Sequence, residues 1–82
     1  MIPQEILREI KSTEWKPVDN PHGVWAIMRE HGPWKAELVY VNSVVLMITK
    51  SDKLQMTMVI NGHLTYQNLV MIADNIFDVI TF

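Results

Sequence analysis

The stretch "WKAELVYVNSVVLMITKSDKLQMTMVI", residues 34–60, decides the fold, because its apolar residues recur at every second position. Leu54, Met56, Met58 and Ile60 alternate with Lys53, Gln55, Thr57 and Val59. Upstream, Trp34, Ala36, Leu38 and Tyr40 alternate with Lys35, Glu37, Val39 and Val41. Successive side chains of an extended chain point to opposite faces, so this period predicts half-buried β-strands. "VVLMITK", residues 44–50, is β-branched and apolar at both parities, as a strand in the middle of a sheet is. Asn42-Ser43 and Ser51-Asp52 supply the intervening turns. Asn-Ser is a weaker hairpin signal than Asn-Gly, so an alternative stays open in which residues 36–49 form one long bent strand and the sheet has three strands.

Upstream of Trp34, "VWAIMRE" (24–30) adds a fourth strand, joined to the third through "HGP" (31–33). A helix is expected at each end. In "TYQNLVMIADNIFDVITF" (65–82), Leu69, Ile72, Ala73, Ile76, Phe77 and Ile80 follow a 3.6-residue period, with Thr65 as the N-cap. At the other end Pro3 suits a first helical turn, and Ile6, Leu7 and Ile10 form a narrow stripe that stops before Pro17 and Pro21. The expected fold is therefore α+β and two-layered, a helix, a four-stranded antiparallel meander and a helix, in a single domain spanning residues 1–82.

Counting two-residue loops fixes an expected register. It places Leu38, Tyr40, Val45, Met47, Leu54, Met56, Met58 and Ile60 on the face that meets the final helix. The opposite face then carries Val39, Val41, Val44, Leu46 and Ile48, with Val59 beside them. Either the first helix covers that group or a second subunit does, and Ile6, Leu7 and Ile10 are a small surface for the task. Those five residues are therefore the expected self-association patch of a homodimer.

Composition narrows the function classes. Half of the residues are apolar and the net charge is −2, which suits a folded chain and disfavours general phosphate binding. With no cysteine there is neither a disulfide nor a thiolate metal site, which fits a reducing, cytoplasmic setting. The longest apolar run, residues 44–48, is far short of the roughly 20 residues a membrane span needs.

Each glycine neighbours a histidine (His22-Gly23, His31-Gly32, Gly62-His63). Such pairs invite a metal reading, but His22 and His31 flank one strand and stand about 25 Å apart, too far to share an ion. The pairs read as turn punctuation, and no metal or cofactor is expected. No nucleophile elbow, phosphate-cradling glycine loop or carboxylate–histidine pair is present, so no catalytic residue is assigned.

Two groups carry partner-binding expectations. Arg29, His31, Trp34 and Lys35 surround one hairpin tip, and Trp and Arg are enriched in interface hot spots. Asp74 and Asp78 stand one turn apart near the C-terminal end of the last helix, where they repel each other and oppose the helix dipole, with no basic residue after them. A basic partner would relieve both. The expected function is a small non-enzymatic protein–protein interaction module, such as an inhibitor, immunity protein or adaptor that binds a larger protein. The alternative is a nucleic-acid-binding protein using Arg29, Trp34 and Lys35.

"ILREIKSTEW" (6–15), followed by strands and a closing helix, resembles the layout of some small phage-encoded inhibitors, among them a Cas9-blocking anti-CRISPR family. The resemblance covers the first fifteen residues and the element order. It implies an inhibitor of phage origin and assigns no residue a role.

Overall fold

Residues 34–60 form three strands of a five-stranded antiparallel sheet in the computed structural model, which describes residues 2–19, 24–60 and 63–82. In chain order the elements are α1 (Gln4–Ile10), β1 (Lys16–Val18), β2 (Trp25–His31), β3 (Trp34–Tyr40), β4 (Val44–Lys50), β5 (Lys53–Ile60) and α2 (Tyr66–Thr81). The strands lie side by side in sequence order, β1 to β5. The α+β class stands, with one strand more than expected. That strand, β1, includes Pro17, which the sequence reading used only to end the first helix. Proline is tolerated on an edge strand, where an amide N–H can be spared, and β1 has a single neighbour.

Thr65 caps α2, its hydroxyl accepting the Asn68 N–H at 3.2 Å. Leu69, Val70, Ala73 and Phe77 of α2 are buried, and Ile72, Ile76 and Ile80 pack against them half-buried. Ile6 and Ile10 of α1 and the following Trp15 join the same cluster. Burying one such side chain is worth about 1.5–3 kcal/mol, so a cluster of this size supplies most of the driving force for folding.

The register differs from expectation at two places. Tyr40 pairs with Val44, so the β3–β4 loop is Val41-Asn42-Ser43, three residues long. A two-residue type I′ turn needs positive φ at both central residues, and neither Asn42 nor Ser43 has it. Ser51 (φ 51°) and Asp52 (φ 66°) do, and they make the two-residue β4–β5 turn. The second departure lies inside β5. Ile48 faces Met56 while Thr49 faces Leu54, so Gln55 is a bulge residue with no partner across the ladder. Each departure shifts β4 by one residue relative to a neighbour, and together they turn it over.

The inner face, against the helices, consequently reads Trp25–Tyr40–Val44–Ile60, then Ile27–Leu38–Leu46–Met58, then Arg29–Ala36–Ile48–Met56 across successive rungs. Val44, Leu46 and Ile48 are buried there and belong to the core of a single chain. The expected self-association patch is therefore corrected. Val44, Leu46 and Ile48 face the helices, Val41 lies in a loop, and only Val39 faces away. Val45, Met47 and Leu54, expected inside, face outward.

Candidate interaction surface

The outer face of the sheet has three rungs. The first is aliphatic on all five strands: Val18, Ala26, Val39, Val45 and Val59. The second reads Lys16, Met28, Glu37, Met47 and Thr57, and the third Glu30, Lys35, Thr49 and Leu54. The face thus grades from aliphatic at one end to charged at the other. Both helices contribute to the inner cluster, and among the described residues no helix covers the outer rungs. Ala26 and Val39 face each other at the middle of the first rung, are buried, and are not part of the helix-side cluster. Val45 and Met47 are half-buried.

The partner-binding tip expected around Arg29 does not assemble. Arg29 lies in phase with Trp25 and Ile27, so it points inward and is only 8 % exposed. Its Nη1 donates to Asp74 Oδ1 at 2.6 Å and to Asp78 Oδ1 at 2.9 Å. The guanidinium carbon stands 5.0 Å from the centre of the Phe77 ring, a cation–π distance. Trp15 Nε1 donates to the same Asp74 oxygen at 2.8 Å. The basic partner that Asp74 and Asp78 require is therefore Arg29 of this chain, and a foreign cation is not needed to relieve their repulsion.

Glu14 Oε2 approaches Arg29 Nε at 3.5 Å, an ion-pair distance but not a hydrogen bond, so the buried Nε–H stays unsatisfied. Burial pulls the guanidinium pKa down. The hydrogen bond donated to Asp78 and the fields of Asp74, Asp78 and Glu14 outweigh it and raise the pKa above its ordinary value. The group is cationic wherever the fold survives. What it does chemically is fasten α2 to β2 and to the segment after α1.

The other tip residues separate. Exposed His31 packs its ring 4.5 Å from that of Phe82. Trp34 lies beneath Lys50, whose Nζ is 5.1 Å from the indole centre. Lys35 points to the outer face and stands across from Glu30. Arg29 and Trp34 therefore lie in the helix-side phase of their strands and Lys35 in the outer phase. Gly32 has φ 58° at the first central position of the β2–β3 turn, the conformation for which glycine is suited. His22, Gly23 and Gly62 lie outside the described residues. Among the described residues no three His, Asp or Glu side chains gather at a metal-binding distance, and no helix is long and apolar enough to cross a membrane.

A cavity of about 380 Å³ opens beside the start of α2, where Trp25, Tyr40 and Tyr66 meet. Trp25 stacks on Tyr40 at 5.9 Å with an 11° tilt, and Tyr66 stands edge-on to Trp25 at 6.1 Å. The described lining has no charged side chain, and its Thr65 hydroxyl is engaged in capping α2.

Sequence reasoning missed the outer-face rungs because the parity of β4 was inverted. Comparison with family models, with curated protein sequences and with solved structures finds no match to this chain.

Proposed function

We propose that this chain is a small non-enzymatic protein-interaction module of the inhibitor, immunity-protein or adaptor kind, acting in the cytoplasm, and that it docks a larger protein through the outer face of its sheet. The observation that supports this is the aliphatic first rung lying on a face that, among the described residues, no helix covers. An antiparallel sheet with one solvated face ordinarily alternates apolar inside with polar outside. Here Val18, Ala26, Val39, Val45 and Val59 break that alternation on every strand. Five strands at about 4.8 Å and three outer rungs at about 6.8 Å make a face of roughly 500 Å². The whole face, its charged rung included, amounts to more than half of the roughly 800 Å² that each partner contributes to a standard interface. The charged third rung, Glu30 and Lys35, would supply the polar rim that such interfaces have.

The test is capture of a host protein by the immobilised chain, compared with Val45→Lys and Met47→Lys. Both positions face outward, so both variants are expected to keep the fold by circular dichroism and to lose the captured protein. Equal capture by the folded variants overturns the proposal. So does turnover of ester, phosphate or glycoside substrates that disappears on substituting His31 or His63. Tight, salt-sensitive binding of oligonucleotides in an anisotropy titration, weakened by Lys35→Ala, would instead establish the nucleic-acid alternative.

A further inference from the structure

The two edges of the sheet are unequal, and the difference identifies a second surface. β1 is three residues long and contains Pro17, two devices that blunt an edge. β5 is eight residues long, bonds only to β4, contains no proline, and carries one charge, Lys53, at its first position. Its outward side chains are exposed, while on the helix side Ile60 is buried and Met56 packs against the core. Leu54 (60 %) and Val59 (68 %) face outward, and Met58 (38 %) lies on the helix side beyond the reach of the helices. An unpaired backbone edge flanked by exposed apolar side chains is a template for another strand.

We propose that β5 is a self-association edge, at which two copies of this chain pair their β5 strands antiparallel about a two-fold axis and join two five-stranded sheets into one of ten. The bulge at Gln55 confines regular pairing to Met56–Ile60, whose middle residue is Met58. A two-fold at Met58 sets Met58 against Met58 of the second copy on the helix side, Thr57 against Val59 on the outer side, and Met56 against Ile60. Each of these pairs joins residues on the same face of their own sheets, so the pleat continues across the junction. The two Lys53 residues fall at opposite ends of the junction, roughly 30 Å apart along the strands and well beyond the roughly 8 Å over which salt lets them interact.

A second copy fits better than a head-to-tail array. Pairing β5 with β1 of the next molecule would join at most three residues, one of them Pro17, and would propagate without closing. Pairing β5 with β5 uses the same strand twice and closes at two. Five residues of paired strand on a sheet about 10 Å thick bury roughly 165 Å² per copy, about 330 Å² in all. That is under half of the roughly 1,200 Å² at the lower end of stable interfaces, so the dimer is reversible and concentration-dependent. It would also set two outer faces side by side in one continuous surface.

Sedimentation equilibrium of the full chain from about 5 µM to about 1 mM tests this. The weight-average mass is expected to rise from 9.5 kDa toward twice that value and to stop there. Met58→Lys places two like charges at the axis and is expected to raise the dissociation constant at least about tenfold, whereas Val45→Lys, off the edge, leaves it within about twofold. Hydrogen exchange on the unmodified chain gives a readout that no variant can confound. Those amides of Met56–Ile60 that point away from β4 are expected to gain protection as concentration rises. A chain that stays monomeric at 1 mM overturns the proposal and leaves the edge to a strand of another protein. Mass that keeps growing past the dimer overturns it in favour of an open array, and a dimer lost in Val45→Lys but kept in Met58→Lys overturns it in favour of face-to-face packing. The outer-face function survives any of these results, since its test reads capture and not mass.

Discussion

Replacing Arg29 with methionine is the most informative single perturbation of this fold. The substitution keeps most of the apolar stem and deletes the guanidinium, which makes hydrogen bonds of 2.6 and 2.9 Å to Asp74 and Asp78 and stacks on Phe77. Two charge-assisted bonds are worth about 1.5–3 kcal/mol each, and the cation–π contact about 0.5–1. Asp74 and Asp78 would be left one turn apart with no cation, adding a few tenths. The side chains of Asp74 and Asp78 are 35 and 44 % exposed, so water recovers much of what they lose, and burying methionine regains some apolar transfer energy. A net cost of about 2–3 kcal/mol remains, below the 3–5 expected when a fully buried pair is broken. A domain of this size has a total stability of roughly 4–12 kcal/mol and loses about 4–8 °C of melting temperature per kcal/mol. Arg29→Met should therefore melt about 10–20 °C lower. Thermal and urea unfolding followed by circular dichroism at low micromolar concentration would measure this without a contribution from self-association. A loss under about 4 °C would refute the assignment of Arg29 as the fastener between β2 and α2. In the Arg29→Met background Asp78→Asn should be neutral or stabilising, although it destabilises the unmodified chain, and a double-mutant cycle reads that reversal.

The orientation of β4 is tested by Leu46→Ala, which should cost about 3 kcal/mol, against Val45→Ala, which should cost about 1 or less; the reverse order would restore the parity that two-residue loops predict. Trp15→Phe deletes the indole donor to Asp74 and should cost about 1 kcal/mol in urea unfolding, with no change meaning that the 2.8 Å bond contributes nothing. Because the Arg29 pKa is raised on folding, its contribution is complete below the unfolded value and is lost only as pH rises through the still higher folded one. Between about pH 6 and 10 its protonation should give stability no slope, and a slope there that vanishes in Arg29→Met would contradict this.

The elements were legible because they rest on local periods. Residues 53–60 alternate and residues 69–80 repeat every 3.6, and both became single elements. What local periods cannot show is a parity shift between neighbours. The three-residue loop at 41–43 and the bulge at Gln55 each moved β4 by one residue, one on either side of it. The strands flanking it, β3 and β5, consequently kept most of their expected faces while β4 alone turned over. Agreement between two loops was poor evidence of register, since the same miscount on both sides is self-consistent. A strand such as "VVLMITK", apolar at both parities, fits either way. Only the φ angles at 42–43 and the bulge settle which way it faces.

The Arg29 cluster was half legible, and the half that was missed had a signal of its own. Two aspartates one turn apart, opposed to a helix dipole with no basic residue beyond them, correctly marked a charge in need of a partner. That partner lies 45 and 49 residues away in the chain. Seven basic residues were available, and position along the sequence selects none of them. Parity does. In "WAIMREH" the alternating set that contains Trp25 and Ile27 continues to Arg29, so an arginine occupies a slot that the strand directs into the core. A guanidinium buried without carboxylates would be too costly to keep, which makes an inward-phased arginine a statement that acids await it. Of the paired acids on the helix that covers the sheet, Asp74 and Asp78 lie on either side of Phe77, the residue over which the guanidinium stacks. An unexplained pair of like charges on a helix and an out-of-character charge in a strand's core phase are each ambiguous alone, and each specifies what the other lacks.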